Sequence, residues 1–309
     1  MKREMRVDCT SKYRFYPTPE QADSLARTFG CVRVVYNQAL TLRRAAWAES
    51  GRSSGFAETN AMLTALKRDP DFCWLNEVSS VPLQQSLRHL EAAYRRFFRK
   101  KSGYPRLRTK GGRQTAEYTK SGFSFRDGQL RLAKMAEPLA VGWSRPLPEP
   151  PSTVTVIQEA DGRWYIACRI NRSVEPLTGG GTVGIDLGLT NFATLSTGEK
   201  IDNPRHLAKR QKRLARLQRQ MAKKLKGSRN RAKARLKAAR AHSAVRHARQ
   251  DFLQKLSARL IRENQTICVE DLSVKGMLRA KLHSRSIADA GWGEFVRMLS
   301  YKSAWYGRE

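Results

Sequence analysis

"TVGIDLGLTNFATLSTGEKI", residues 182–201, sets one carboxylate, Asp186, within an apolar run of Val183, Ile185, Leu187 and Leu189. The run reads as a buried strand, and a second β-rich run follows at once. An ionised Asp in a buried strand costs several kcal/mol unless a cation is paired with it. The stretch therefore predicts a sheet-containing domain with a cationic partner for Asp186.

The rest of the composition narrows what that partner serves. The chain has 309 residues, with 59 Lys and Arg against 27 Asp and Glu and a formal charge of +32. That length suits two or three domains. Charge of one sign repels itself until a polyanion neutralises it, so nucleic acid is the expected partner and an anionic membrane the weaker alternative. No apolar run approaches the roughly 20 residues of a transmembrane helix. The opening "MKREMRVDCTSKYRFYP" has no signal-peptide apolar core, and the expected setting is the cytoplasm, in association with the nucleoid. Cys9, Cys31, Cys73, Cys168 and Cys268 are scattered and form no C-x-x-C pair, which reads as free thiols and no zinc ribbon. The five histidines show no metal-ligand spacing either.

Residues 6–16 alternate as a strand, and "TPEQ" (18–21) is a helix start, with Thr18 as N-cap, Pro19 at the first position and Gln21 completing a capping box. Leu25, Phe29, Val32, Tyr36 and Leu40 recur at helical spacing, with Gly30 a candidate break. Further helices are expected over 59–68 and 82–100, the second carrying Leu83, Leu87, Leu90, Tyr94 and Phe97 on one stripe. Beyond "KKSGYPRLRTKGGRQ" the pattern becomes β-rich. "STVTVIQEADGRWYIACRI" reads as a hairpin turning at Asp161-Gly162, after a proline-rich loop at 146–151. "EPLTGGG" (175–181) is a linker into the domain that opens with the quoted stretch. There strands lead into a helical segment, 204–263, that holds 21 Lys and Arg against Asp251 and Glu263 alone. The strand "QTICVEDL" (265–272) and a helix from about Ser286 close the chain.

Three groups of residues carry chemistry. Asp186 and Glu270 end neighbouring apolar strands in an RNase-H-like pattern, which brings carboxylates together to hold Mg²⁺ ions and hydrolyse a phosphodiester. The bland alternative makes Asp186 a turn acid and Glu270 a surface ion-pair member. Asp271 faces away from Glu270 if the strand stays regular, and Asp289 and Glu294 lie on the following helix. "GIDLGLTN" also fits the phosphate hairpin of actin-like ATPases, but no second glycine-rich phosphate loop follows it. In the basic segment, Arg205, Lys209, Arg210, Lys212, Arg213 and Arg216 are candidate phosphate contacts, since leucines are too sparse for a large buried face. Gln84, beside Gln85 in the expected first turn of its helix, is a candidate base reader or simply an exposed side chain.

Taken together, "RFYPTPEQ", "TFGCVRVVYNQAL", "WLNEVSSVPLQQSLRHLEAAYRRFFR", "GYPRLR", "VGIDLGLTNFATLSTG", "VEDLSVKGM" and "SIADAGWGEFVRMLSYKSAWYGR" resemble TnpB, the OrfB-type insertion-sequence family, over nearly the whole chain. The resemblance implies RNA-guided DNA endonucleases related to type V CRISPR effectors. It implies an α+β, multidomain chain in which a wedge β-barrel (1–17 and 111–176) carries an inserted helical recognition module (18–110). An RNase-H-like RuvC α/β domain (177–309) follows. It also implies guide RNA and double-stranded target DNA as partners, no membrane, and Mg²⁺ or Mn²⁺ at Asp186 and Glu270, the two family catalytic acids that map onto this sequence.

The family then continues, after "AWYGR", into a zinc segment with two Cys-x-x-Cys pairs and a third catalytic Asp. Neither is in these 309 residues. The expectation is a C-terminally shortened, incomplete nuclease domain that binds guide and target without cutting. An interrupted reading frame, a naturally short form, a nuclease-inactive guided binder and a general RNA-binding protein stay open as alternatives.

Overall fold

β1 (Met5–Phe15) alternates exposed and buried residues, so one face of it meets the core. The computed structural model describes residues 5–280 and 283–309. α1 (Pro19–Ser50) starts as its letters dictate. The Thr18 hydroxyl accepts from the Gln21 N–H at 3.2 Å, and the Gln21 carboxamide oxygen accepts from the Thr18 N–H at 3.2 Å. The helix then runs unbroken through Gly30, the candidate break. Phe29, Cys31 and Val32 are buried on either side, and that packing outweighs the helix cost of one glycine, about 1 kcal/mol.

α2 (Phe56–Arg68) and α3 (Ser80–Phe98) follow. The start of α3 precedes the expected one because the Ser79 hydroxyl caps the N–H of Val81 at 3.4 Å. Its stripe of Leu83, Leu87, Leu90 and Tyr94 is buried, while Phe97 is only half-buried. The strands β2 (Gln114–Thr119), β3 (Phe123–Arg126), β4 (Gln129–Leu132), β5 (Val141–Gly142), β6 (Thr153–Gln158) and β7 (Trp164–Val174) come next. Five of the seven strands pair in the order β2-β6-β7-β1-β5, and β3 and β4 form a separate hairpin. The β6–β7 turn passes through Gly162 at φ 78°, which makes glycine the fitting residue there. The helices thus interrupt the sheet in sequence, and both share one core that includes Phe15, Leu25, Leu87, Tyr118, Val156 and Ile166.

The remaining elements are β8 (Gly181–Leu187), β9 (Asn191–Leu195), β10 (Lys200–Asp202), α4 (His206–Ala222), α5 (Arg229–Glu263), β11 (Asn264–Val269), α6 (Val274–Arg279), α7 (Ser284–Ala290) and α8 (Trp292–Tyr306). The single basic segment expected over 204–263 is two helices, parted at 223–228. The helix expected from Ser286 is likewise two, because Gly291 takes φ 75° between them. The sheet order is β10-β9-β8-β11, with β8 and β11 parallel and β8 and β9 antiparallel. A Cβ on Gly180 would fall 2.7 Å from the carbonyl oxygen of Glu263, so only glycine lets β8 begin this close to β11.

Phe192, Leu253, Leu260, Trp292 and Phe295 form the second core. Arg308 closes it: its guanidinium donates to the carbonyls of Ile261 at 3.1 Å and Gly179 at 2.6 Å. The chain clusters into two units, Asp8–Arg172 and Ser173–Glu309 with the start of β1. This mixed helix-and-sheet architecture is α+β. Among the described residues no helix is long and apolar enough to cross a membrane.

Candidate active site and basic helices

Along β8 the apolar side chains fill one face only. Val183, Ile185 and Leu187 are buried, whereas Asp186 lies on the opposite face and is exposed. The buried charge expected from the sequence is therefore not there. The apolar run is a half-buried strand with period two, and Gly184 disguises the open face. Among the described residues, no hydrogen bond or ion pair reaches the Asp186 carboxylate. Its neighbour is instead a second carboxylate. β8 and β11 run in parallel register to the pair Ile185–Val269, and one residue further along each chain stand Asp186 and Glu270. Glu270, expected within the strand, is the first residue past its end and is also exposed.

The two acids line one open cleft of about 420 Å³ with Gly184, Thr194, Ser196 and Cys268. Thr194 lies directly across from Asp186 on β9. The Ser196 hydroxyl oxygen accepts from the Gly184 N–H at 3.0 Å, which leaves its own proton free to donate into the cleft. These hydroxyls were not singled out from the sequence, although their two-residue spacing placed them on one face of the strand that follows Asp186. Carboxylate and hydroxyl oxygens are the donors a hard divalent cation prefers. Among the described residues no group of three or more His, Cys, Asp or Glu could hold a metal, so this chain brings two carboxylates to such a site.

Asp271 does not extend the pair. The strand has ended before it, and the chain turns at once, with the Leu272 N–H bonded to the Glu270 carbonyl at 3.0 Å. The idea that it points opposite Glu270 on a regular strand does not apply. Asp289 is not a spare ligand either. It is buried on α7, and its carboxylate accepts from the N–H of Leu207 at 2.9 Å and of Ala208 at 3.3 Å. Those are orphan donors in the first turn of α4, whose own N-cap residue, Arg205, supplies no side-chain cap. Asp289 therefore caps α4 from 82 residues away in sequence.

Asp289→Ala is expected to cost about 1–2 kcal/mol, read as a fall of a few degrees in melting temperature. Asp289→Asn should recover part of the loss. An unchanged melting temperature would remove the capping role.

The basic side chains lie where phosphates can reach them. Lys209, Arg210, Lys212, Arg213 and Arg216 are exposed on α4, and Arg205 is exposed just before it at φ 47°. Leu214 is the one buried residue of α4. Arg210 and Arg213 face Lys237 and Arg240 of α5 across a furrow of about 350 Å³. Lys223, Lys224, Lys233 and Lys237 line a second furrow of about 460 Å³. Gln84 is exposed, but α3 begins at Ser80, so this residue sits in the second helical turn rather than the first. It is therefore not at the helix start, the position that would carry it into a groove.

Known proteins resemble the chain in sequence and in fold. Residues 165–281 match the OrfB_IS605 family, described as "Probable transposase". Residues 5–52 match its "Helix-turn-helix domain", though here that span is β1 and the continuous helix α1. A Streptomyces pristinaespiralis protein named as a candidate RNA-guided DNA endonuclease is 52% identical over 96% of this chain and 75% of its own length. InsQ of Escherichia coli, which carries the same description, is 32% identical over 96% of this chain and 78% of its own length. In fold the chain is similar to the protein in a Cas12f1–sgRNA–target DNA complex, with TM-score 0.55 at 12% identity, over 98% of this chain and 88% of that one.

Proposed function

The chain belongs to the OrfB-type transposase family, TnpB, and from that membership we propose that its Asp186–Glu270 cleft is the cutting centre of an RNA-guided DNA endonuclease. A TnpB-like RNA-guided nuclease is the function that the two relatives support. The observation that carries the assignment of the cleft is the register of β8 and β11, which sets Asp186 and Glu270 side by side on an open face, with no Lys or Arg among the described residues that line it.

In this reading the unit from Ser173 onward is the RuvC-like domain, and the sheet and helices of Asp8–Arg172 are the wedge and recognition regions. Guide RNA and double-stranded target DNA are the partners, held by backbone contacts from α4 and α5. Base pairing supplies sequence choice.

The reaction is phosphodiester hydrolysis, in which water attacks phosphorus and a 3′-hydroxyl leaves. A divalent cation, Mg²⁺ or Mn²⁺, would be held by the Asp186 and Glu270 carboxylates and would favour both the attacking water and the departing oxygen. Like charges at adjacent strand positions repel, so the pair favours a cation over any other occupant. Ser196 keeps its hydroxyl proton for a phosphate oxygen, because its own oxygen already accepts from Gly184. Thr194 offers a second hydroxyl on the same wall.

Titrating the 309-residue chain with Mn²⁺, followed by the loss of the free-ion electron paramagnetic resonance signal, tests the assignment. Saturable binding should disappear in Asp186→Ala and in Glu270→Ala. Equal binding by both variants and the parent would remove the cleft from the mechanism.

A further inference from the structure

A second surface stands out in the helical part of the first unit. Trp47 is 63% exposed, Phe98 64% and Tyr104 41%, although all three are large aromatics. They belong to one aromatic nest. Tyr94 and Phe98 stack at 6.1 Å with 25° between their planes. Tyr104 meets Tyr94 edge-on at 5.6 Å and Phe97 edge-on at 5.2 Å.

The nest is held rigid from below. The Arg43 guanidinium lies 4.0 Å from the centre of the Tyr94 ring and is fixed by Glu91 at 2.7 Å. The hydroxyls of Tyr94 and Tyr104 are 2.8 Å apart. With Trp47, Ser53 and Ser54 these residues enclose a mainly apolar pocket of about 310 Å³, at the small end of ligand pockets.

The charge around the nest identifies its occupant. From Glu91 to Lys110 there are eight Lys and Arg and no acid but Glu91 itself. Arg99, Lys100 and Lys101, all exposed, directly follow Phe98. Arg44 lies 5.2 Å from the Tyr104 ring and is anchored on the Pro105 carbonyl at 3.2 Å. An aromatic pocket rimmed by cations is repelled by a second copy of this +32 chain and attracted to a strand whose backbone is anionic and whose bases are flat and apolar-faced.

We propose that the pocket of Trp47, Tyr94, Phe98 and Tyr104 receives one unpaired nucleobase by stacking, with the adjoining phosphates held by Arg44 and the Arg99–Lys101 run. The proposal rests on the nucleic-acid reading above and adds to it a preference for unstacked bases at this place. A duplex keeps its bases stacked inside, so it cannot fill the pocket. A single strand, a loop or a bulge can.

The test uses the full chain and two probes: a single-stranded oligonucleotide with 2-aminopurine at its centre, and the same oligonucleotide in a perfect duplex. Single-strand binding should quench the 2-aminopurine, and the double substitution Trp47→Ala with Phe98→Ala should weaken it about tenfold or more. Duplex affinity should be unchanged, and Trp47→Phe with Phe98→Tyr should retain tight binding and quenching. Equal single-strand affinity of the alanine variant and the parent overturns the pocket while leaving nucleic-acid binding intact. Binding of neither probe by the parent overturns the nucleic-acid reading, and the pocket with it. A dimer seen by sedimentation that the alanine variant loses, with single-strand affinity unmoved, assigns the surface to a second copy instead. Parallel loss on both probes marks a folding defect in the alanine variant, and the aromatic-for-aromatic variant then decides: it retains quenching only if stacking is the cause.

Discussion

Asp186→Ala, or Glu270→Ala, should abolish guided DNA cleavage, by about 10³-fold or more, while the melting temperature stays level or rises slightly. The size follows from losing a metal ligand. Metal-ion catalysis contributes several kcal/mol, and each 1.36 kcal/mol is about tenfold in rate. The stability half follows from position. Both carboxylates are exposed, so neither substitution opens a cavity or strands a buried partner. Removing one of two adjacent like charges relieves repulsion in the ion-free protein. Cleavage is measured with guide RNA, target duplex and Mg²⁺ on each variant beside its parent. Melting is measured on the 309 residues themselves. A fall of several degrees in either variant would make these acids structural and undo the assignment.

Affinity for RNA should fall by about 10³-fold or more between 50 and 200 mM salt, as expected when six or more phosphates are neutralised. The cations responsible are spread along α4 and α5 and face furrows between the helices. Each contact releases a counterion, and together they set a steep slope of log K against log salt. Reversing Arg210 and Arg213 to Glu should flatten that slope by about two contacts or more, without choosing between sequences, because phosphate contacts carry no base information. Filter binding across a salt series reads both effects. A slope near zero in the parent would take the basic helices out of the interface.

The parts of the fold that were legible were those written in neighbouring residues. The Thr18–Gln21 capping box, the Asp161-Gly162 turn and the leucine stripe of α3 each rest on contacts within a few positions. The acids of the cleft were legible as a pair because two apolar strands point to one sheet. Their environment was misread. Glycine on the open face of β8 made an alternating strand look uniformly apolar, and the inferred desolvation of Asp186 went with it.

What depends on distant partners was not legible. Nothing in the letters around Asp289 says that its carboxylate meets the start of α4. Nothing around Gly30 says that packing will carry α1 through it. The aromatic nest was hidden for a third reason. Tyr94 and Phe97 belong to a regular helical stripe, and the same spacing describes a buried face and a half-open one equally well.

α5 is one rod of 35 residues, about 52 Å at 1.5 Å per residue, yet its two ends live under different rules. Near its C-terminus Leu253, Leu256, Leu260 and Ile261 are buried, and Lys302 of α8 grips its backbone and Ser257 at 3.0 and 2.8 Å. Towards its N-terminus, from Arg229 to Lys237, every residue is at least partly exposed. The helix is clamped into the core at one end, while its other half packs on α4 and keeps an open outer side. Evolution can therefore alter the charge of that outer side residue by residue, and with it the grip on a changing RNA partner, while the clamped end keeps the sheet in register. A designer could turn the same dial.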